Sequence, residues 1–147
     1  MAHEFRMTHR VEFADTDMAG IVHFASYFRY MEATEHAFFR SLGFSVVMWE
    51  RFKVGWPRVQ VECRYVAPSR FEDELEVHLR VREKKEKSLA YDFVFRRVNP
   101  GPVVEVARGS MTAVCVTRDE SGVIKSVPIP EPVARAIEAA PPIGDKP

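Results

Sequence analysis

Apolar and polar positions alternate along several stretches of the chain, and one long stretch between the first two follows a helical period instead. The first alternating stretch, Met7 to Ala14, ends with Val11 and Phe13 set against Arg10 and Glu12, as in a strand with one buried face. Val59, Val61, Cys63 and Tyr65 alternate with Gln60, Glu62 and Arg64. Leu75, Val77, Leu79 and Val81 alternate with Glu76, His78, Arg80 and Arg82, and Leu89, Tyr91, Phe93 and Phe95 make a further set. Asn99-Pro100-Gly101-Pro102 then forms a turn before a last strand over Val103 to Thr117. Short turns between such segments predict a mainly antiparallel sheet.

From about Ala25 to Leu42 the spacing is helical. At 100° per residue Phe24, Tyr27, Phe28, Met31, Phe38, Phe39 and Leu42 share one face, with Arg29, Glu32, His36 and Arg40 to one side. Ser26 is a candidate cap, a start nearer Ile21 also fits, and Gly43 supplies a stop. Glu35 breaks the apolar stripe between Met31 and Phe38, and burying an unpaired carboxylate is costly. It therefore requires a partner, a subunit interface or a wet cleft.

Phe44 to Pro57 reads as an aromatic connector carrying Trp49, Phe52 and Trp56, with room for a short helix over Ser45 to Arg51 before Gly55 and Pro57 break it. Asp119 to Gly122 reads as a surface turn, Glu131 to Ala140 as a weak helix, and Pro141, Pro142 and the polar end as a loose tail. The expected architecture is α+β: five strands wrapped around one long helix, which lies between the first and second strands.

A chain of 147 residues fits a single domain, 1–147. Its 46% hydrophobic and 29% charged content is that of a folded globular protein. Lys plus Arg and Asp plus Glu both total 21, so overall charge favours neither nucleic acid nor a membrane surface as partner. Met1 to Arg10 has no signal-peptide character, and no apolar run reaches the roughly 18 residues of a membrane span, which makes a cytoplasmic location the expectation. Cys63 and Cys115 sit in strand-like segments and read as buried thiols. Arg80, Arg82, Lys84, Lys85 and Lys87, interrupted by Glu83 and Glu86, form either a solvated hairpin or a phosphate-contacting patch.

The polar loop Asp15 to Gly20 separates the first strand from the helix. Asp17 there is placed to act as a base or nucleophile, while backbone N–H groups near Gly20 to Phe24 are placed to stabilise an oxyanion. An aspartate before a helix is more commonly a cap or turn residue, and periodicity leaves both readings open. The histidines lack the spacing of a simple helical metal motif, and no Walker loop, dinucleotide fingerprint or serine elbow occurs.

The stretch Phe13-Ala14-Asp15-Thr16-Asp17-Met18-Ala19-Gly20-Ile21-Val22-His23-Phe24-Ala25-Ser26-Tyr27, followed by Glu32, resembles the signature of the 4-hydroxybenzoyl-CoA thioesterase and YbgC-like branch of the hotdog superfamily. The resemblance continues loosely through Tyr65, Pro68 and Phe71-Glu72-Asp73, over roughly residues 5 to 120. It implies a curved antiparallel sheet around a central helix, twofold dimers whose sheets join edge to edge, and active sites at subunit boundaries. Asp17 then becomes the principal catalytic residue, and Asp15 braces the loop. Gly20 permits close backbone approach, Ile21, Val22, His23 and Phe24 form the helix start whose amides polarise a thioester carbonyl, and Glu32 supports the loop or interface. Tyr27, Glu35, Trp49 and Phe52 become candidates for substrate contact, and Arg82, Lys84, Lys85 and Lys87 candidates for the phosphates of coenzyme A. The implied activity is hydrolysis of acyl-CoA with an aromatic or short-to-medium acyl group. No cofactor is expected, since coenzyme A belongs to the substrate. An acyl-carrier-protein thioesterase and a noncatalytic acyl-CoA binder are the alternatives, and a dimer or tetramer is expected. Two positions depart from the branch's pattern: His23 is followed by Phe24 where an aromatic residue followed by histidine is frequent, and Glu35 stands where arginine is frequent.

Overall fold

The period-2 segments pair into a sheet because their apolar faces need one common cover, and the amphipathic helix supplies it. In the computed structural model, which describes residues 1–142, the chain runs β1 (Glu4–Arg10), α1 (Ser26–Ser41), α2 (Trp49–Phe52), β2 (Arg58–Tyr65), β3 (Glu74–Lys84), β4 (Ser88–Asn99), β5 (Val104–Val114), β6 (Val116–Arg118), β7 (Ile124–Ser126) and α3 (Glu131–Ala136). The first five strands form one antiparallel sheet in the order β1-β3-β4-β5-β2. Cross-strand partners Val77 and Phe95, Leu79 and Phe93, and Val81 and Tyr91 place their side chains on the face that α1 covers with Tyr27, Met31, Phe38 and Phe39. Gly109 on β5 makes room at the closest crossing, since a Cβ there would lie 2.8 Å from the Met31 sulfur. The α+β plan with five strands around a central helix is therefore the observed one.

Several boundaries differ from the expectation. The first strand spans Glu4–Arg10 rather than Met7 to Ala14, because the chain turns away through a 3-10 turn at Phe13–Asp15 and leaves Phe13 78% exposed. Phe24 is also exposed, and the polar-looking Tyr30 and Thr34 take a place on the buried face of α1. Ser26 is the first residue of α1 rather than its cap; its hydroxyl donates to the Asp15 carbonyl at 2.8 Å. Gly43 does end the helix, at φ 87°. The connector helix is Trp49–Phe52 rather than Ser45 to Arg51.

The last expected strand divides at Cys115, whose N–H bonds to the Lys87 carbonyl, and its continuation β6 pairs with the unforeseen β7 around the Asp119–Gly122 turn. The terminal helix stops at Ala136 instead of Ala140. Beyond it Ile137 bridges Ala2 in parallel and the Ala140 N–H reaches the Val81 carbonyl, so backbone pairing replaces the helix. Pro141 accepts a hydrogen bond from Arg80, so this part of the expected tail is tied to the sheet; the remainder, 143–147, lies outside the described residues. Cys115 is buried, Cys63 is half-buried, and both thiols are free.

Candidate active site

The loop between β1 and α1 is built around the buried carboxylate of Asp15. One of its oxygens accepts from the Glu12 N–H at 2.9 Å and the Tyr30 hydroxyl at 2.8 Å, the other from Arg29 Nη2 at 3.0 Å. Its carbonyl takes the Ser26 hydroxyl and the His23 N–H, each at 2.8 Å. Burial, reinforced by the adjacent carboxylate, pushes the Tyr30 hydroxyl far above its ordinary range, so it remains a donor. His9 stacks on Tyr30 with centroids 5.4 Å apart and approaches the Thr34 hydroxyl at 3.2 Å, and burial lowers its pKa. Asp15 thus has donors on both carboxylate oxygens, Arg29 and Tyr30 among them, and His9 and Thr34 pack beside Tyr30; the motif did not supply these four.

The braced loop presents Asp17 outward. The Asp17 N–H and carbonyl bond to Ile21 and Gly20, closing a tight turn in which Gly20 adopts φ 78° and Thr16 bridges Val22. Asp17 Oδ1 accepts from the Ala19 N–H at 2.8 Å; among the described residues Oδ2 accepts nothing, and the residue is exposed. At the helix start Val22 donates to the Ser69 carbonyl, His23 to Asp15, Ala25 to His23 Nδ1 and Ser26 to the His23 carbonyl. Among the described residues from Val22 to Ser26, the Phe24 N–H alone meets no acceptor. It lies at the positive end of the peptide dipoles of α1. The Phe24 carbonyl accepts the Tyr65 hydroxyl at 2.8 Å, tying the loop to β2, and Tyr65 packs against buried Tyr27 with centroids 5.2 Å apart. Glu32, one of the supporting candidates, is exposed on α1 and makes no hydrogen bond among the described residues.

Other candidates lie away from this loop within the same chain. Trp49 and Phe52 follow the C-terminal end of α1, whose 16 residues span about 24 Å. Trp49 lines an apolar pocket of about 400 Å³ with Val46, Val116 and Ile124. Arg82, Lys84, Lys85 and Lys87 sit at the far end of the sheet, because Glu74 adjoins the loop and Lys84 stands at the other end of the 11-residue strand β3, whose rise is about 3.3 Å per residue. The Lys84 ammonium is taken up by the Ala134 and Ile137 carbonyls at the end of α3, and Arg82 pairs with Asp92 at 2.7 Å. Lys85 adjoins Glu83 at 3.5 Å and remains well exposed.

Glu35 faces neither solvent nor the loop. It is 1% exposed in the core, ion-paired with Arg58 of β2, and the fully buried Tyr91 hydroxyl adjoins it without completing a hydrogen bond. Burial raises its pKa, against the opposing pull of Arg58. The need for a partner was legible from the sequence; Arg58, some 23 residues away, was not, because only the strand-helix packing brings it near.

Neither the 400 Å³ pocket nor a groove of about 640 Å³ bordered by Arg64, Arg80, Asp92 and Arg108 is lined by a residue of the 15–24 loop. Around the loop and along the open edge of β2, Phe13, Met18, Phe24, Val59, Val61, Tyr65, Val66 and Phe71 are instead exposed.

Residues 11–137 match the family model described as the thioesterase-like superfamily. A 4-hydroxybenzoyl-CoA thioesterase of Pseudomonas sp. (strain CBS-3) is 31% identical over 109 residues, covering 72% of this chain and 77% of its own. A putative esterase of Aquifex aeolicus (strain VF5) is 30% identical over 119 residues, covering 81% of this chain and 88% of its own. Among solved structures, that of a gentisyl-coenzyme A thioesterase superposes with a TM-score of 0.74 at 32% identity, covering 90% of this chain and 98% of the other.

Proposed function

Because the chain belongs to the thioesterase-like superfamily, we propose that it hydrolyses acyl-CoA thioesters with Asp17 as the reacting carboxylate. The observation that carries the reading is that one braced loop holds both a carboxylate oxygen without a donor and an amide N–H without an acceptor among the described residues. Asp17 Oδ2 either attacks the thioester carbon, giving a mixed anhydride that water then opens, or takes a proton from the attacking water. In both routes the carbonyl oxygen gains negative charge, and in this reading the Phe24 N–H is the group that receives it. The C–S bond breaks and coenzyme A leaves as a thiolate, which requires little protonation.

The exposed apolar residues around the loop and along β2 support a site completed by a second copy. Edge strand β2 leaves one side unpaired. A twofold axis beside β2 would run the partner's β2 antiparallel to it, bringing the partner's far sheet end toward this loop. The aromatic connector with Trp49 and Phe52 and the exposed Lys85 and Lys87 would then serve the partner's substrate rather than their own chain's. An aromatic acyl group fits this reading best, since two relatives are named for aryl-CoA thioesters. Glu35, enclosed in the core, takes no direct part.

The test is thiol release from benzoyl-, hydroxybenzoyl-, short-chain and long-chain acyl-CoA and from acyl-carrier-protein thioesters. Wild type is expected to prefer an aryl-CoA, and Asp17→Asn and Asp17→Ala to lose at least about 100-fold in kcat, the scale on which an essential acid-base or nucleophilic group acts. A folded Asp17→Ala protein with near-normal turnover sinks the assignment. Preference for carrier-protein thioesters, or saturable binding without hydrolysis, would transfer the site to one of the two alternative functions.

A further inference from the structure

His23 holds the start of α1 through every polar group it has except one. Its N–H donates to the Asp15 carbonyl at 2.8 Å and its carbonyl accepts the Ser26 N–H at 2.9 Å. Its ring Nδ1 accepts the Ala25 N–H at 3.1 Å. The same ring lies against that of Phe24, with centroids 4.4 Å apart and planes inclined by 28°. Phe24 is thus fixed on both sides in sequence and through its ring, while Tyr65 holds its carbonyl. The N–H of Phe24 is what this arrangement leaves free.

A ring nitrogen that accepts a hydrogen bond carries no proton, so the Ala25 contact selects the imidazole protonated at Nε2 alone. The first turn of any helix has N–H groups without intrahelical partners, and a side chain that accepts from the residue two positions on satisfies one of them, as asparagine and aspartate do in Asx turns. A proton added at Nδ1 would set two donors against each other. The ring would have to turn, abandoning both the Ala25 N–H and the Phe24 stack.

We propose that His23 is a positioning residue for the thioester reaction: its Nε2-protonated ring orients the peptide between His23 and Phe24 so that the Phe24 N–H meets the carbonyl oxygen as charge develops on it. The inference rests on the role given to Phe24 above. His23 itself touches no reacting atom, so its contribution belongs to turnover and not to substrate affinity.

The experiment compares wild type, His23→Ala and His23→Asn as full chains, with thermal unfolding checked for each. Asparagine offers an oxygen to the Ala25 N–H; alanine offers nothing. His23→Ala is expected to lose about 10- to 100-fold in kcat with KM within about twofold, the scale of a misdirected catalytic group. His23→Asn is expected to keep kcat within about threefold of wild type. Ring nitrogen NMR of the wild type should show the Nε2-protonated tautomer, and exchange of the Ala25 amide should quicken in His23→Ala. Unchanged kcat in His23→Ala, equal losses in both variants, or an Nδ1-protonated ring overturns the proposal. Absence of thiol release from wild type overturns the functional reading and this role together, whereas an active wild type with an unaffected alanine variant overturns this role alone.

Discussion

Asp15 and Asp17 stand two residues apart and have opposite environments, and their partners explain why. Asp15 collects a tyrosine hydroxyl, a guanidinium and a backbone N–H, while Asp17 turns one oxygen to Ala19 and, among the described residues, leaves the other open. A carboxylate saturated with donors holds a loop rigid; one with an open oxygen is available for chemistry. Removing the Tyr30 hydroxyl takes a donor from a buried charge, and hydrogen bonds to charged groups contribute about 1.5–3 kcal/mol. Tyr30→Phe is therefore expected to lower unfolding free energy by that amount in urea titrations and to reduce kcat by loosening the loop. Stability equal to wild type would show that Arg29 and the Glu12 amide suffice. Sequence made the two acids visible, but the assignment of brace and reactant came from the motif, since either acid in isolation reads as a turn residue.

The joint between α1 and the sheet carries the least expected chemistry. Glu35 and Arg58 meet there across the core, beside the hydroxyl of Tyr91. Removing one member of a buried pair typically costs about 3–5 kcal/mol, because the other charge is left without compensation. Arg58→Met is expected to lose about that much stability near pH 8. Burial holds the folded pKa of Glu35 above its ordinary 4.5, so the folded state binds a proton more readily than the unfolded chain does. Its effect on stability accordingly worsens as pH rises from about 4.5 through the folded value. Without Arg58 the folded value rises further, and the deficit of the variant should shrink on going from pH 8 to pH 5.5. A deficit independent of pH in urea unfolding would assign the loss to packing of the arginine stem. The stripe-breaking position of Glu35 announced this joint in the sequence. Its partner belongs to another element and had no local signal.

Across the molecule, the candidate groups separate toward two ends of the sheet: Asp17, Phe24 and Tyr65 at one, the connector aromatics and basic hairpin at the other. Within one chain they stay apart, and the proposed antiparallel pairing of two copies at β2 is what would bring them together. Val61 projects from that edge strand and is 40% exposed, so Val61→Asp would place charges against each other across a twofold contact. We expect light scattering to show at least a dimer for wild type and a shift toward monomer for Val61→Asp, with loss of thiol release. A fully active monomer would refute the shared site. The sequence offered Trp49 as an aromatic of the connector and Lys84 as one of a basic cluster, and neither pattern carries a distance to Asp17; the Lys84 ammonium instead meets the carbonyls at the end of α3.

Periodicity by itself determined the sheet, the long helix, its glycine stop and the anomaly at Glu35, because these follow from which side chains must leave water. The motif determined the family and singled out Asp17. Only the tertiary structure decided that β1 ends before Phe13, that a second small hairpin follows Cys115, that the His23 amide is spent on Asp15 while the Phe24 amide meets no acceptor among the described residues, and that Glu35 belongs to Arg58. Those outcomes depend on which hydrogen-bonding and charged groups meet once the chain has folded, some within a turn or hairpin and one, Arg58, from another element, and the apolar-polar pattern carries no information about such partners.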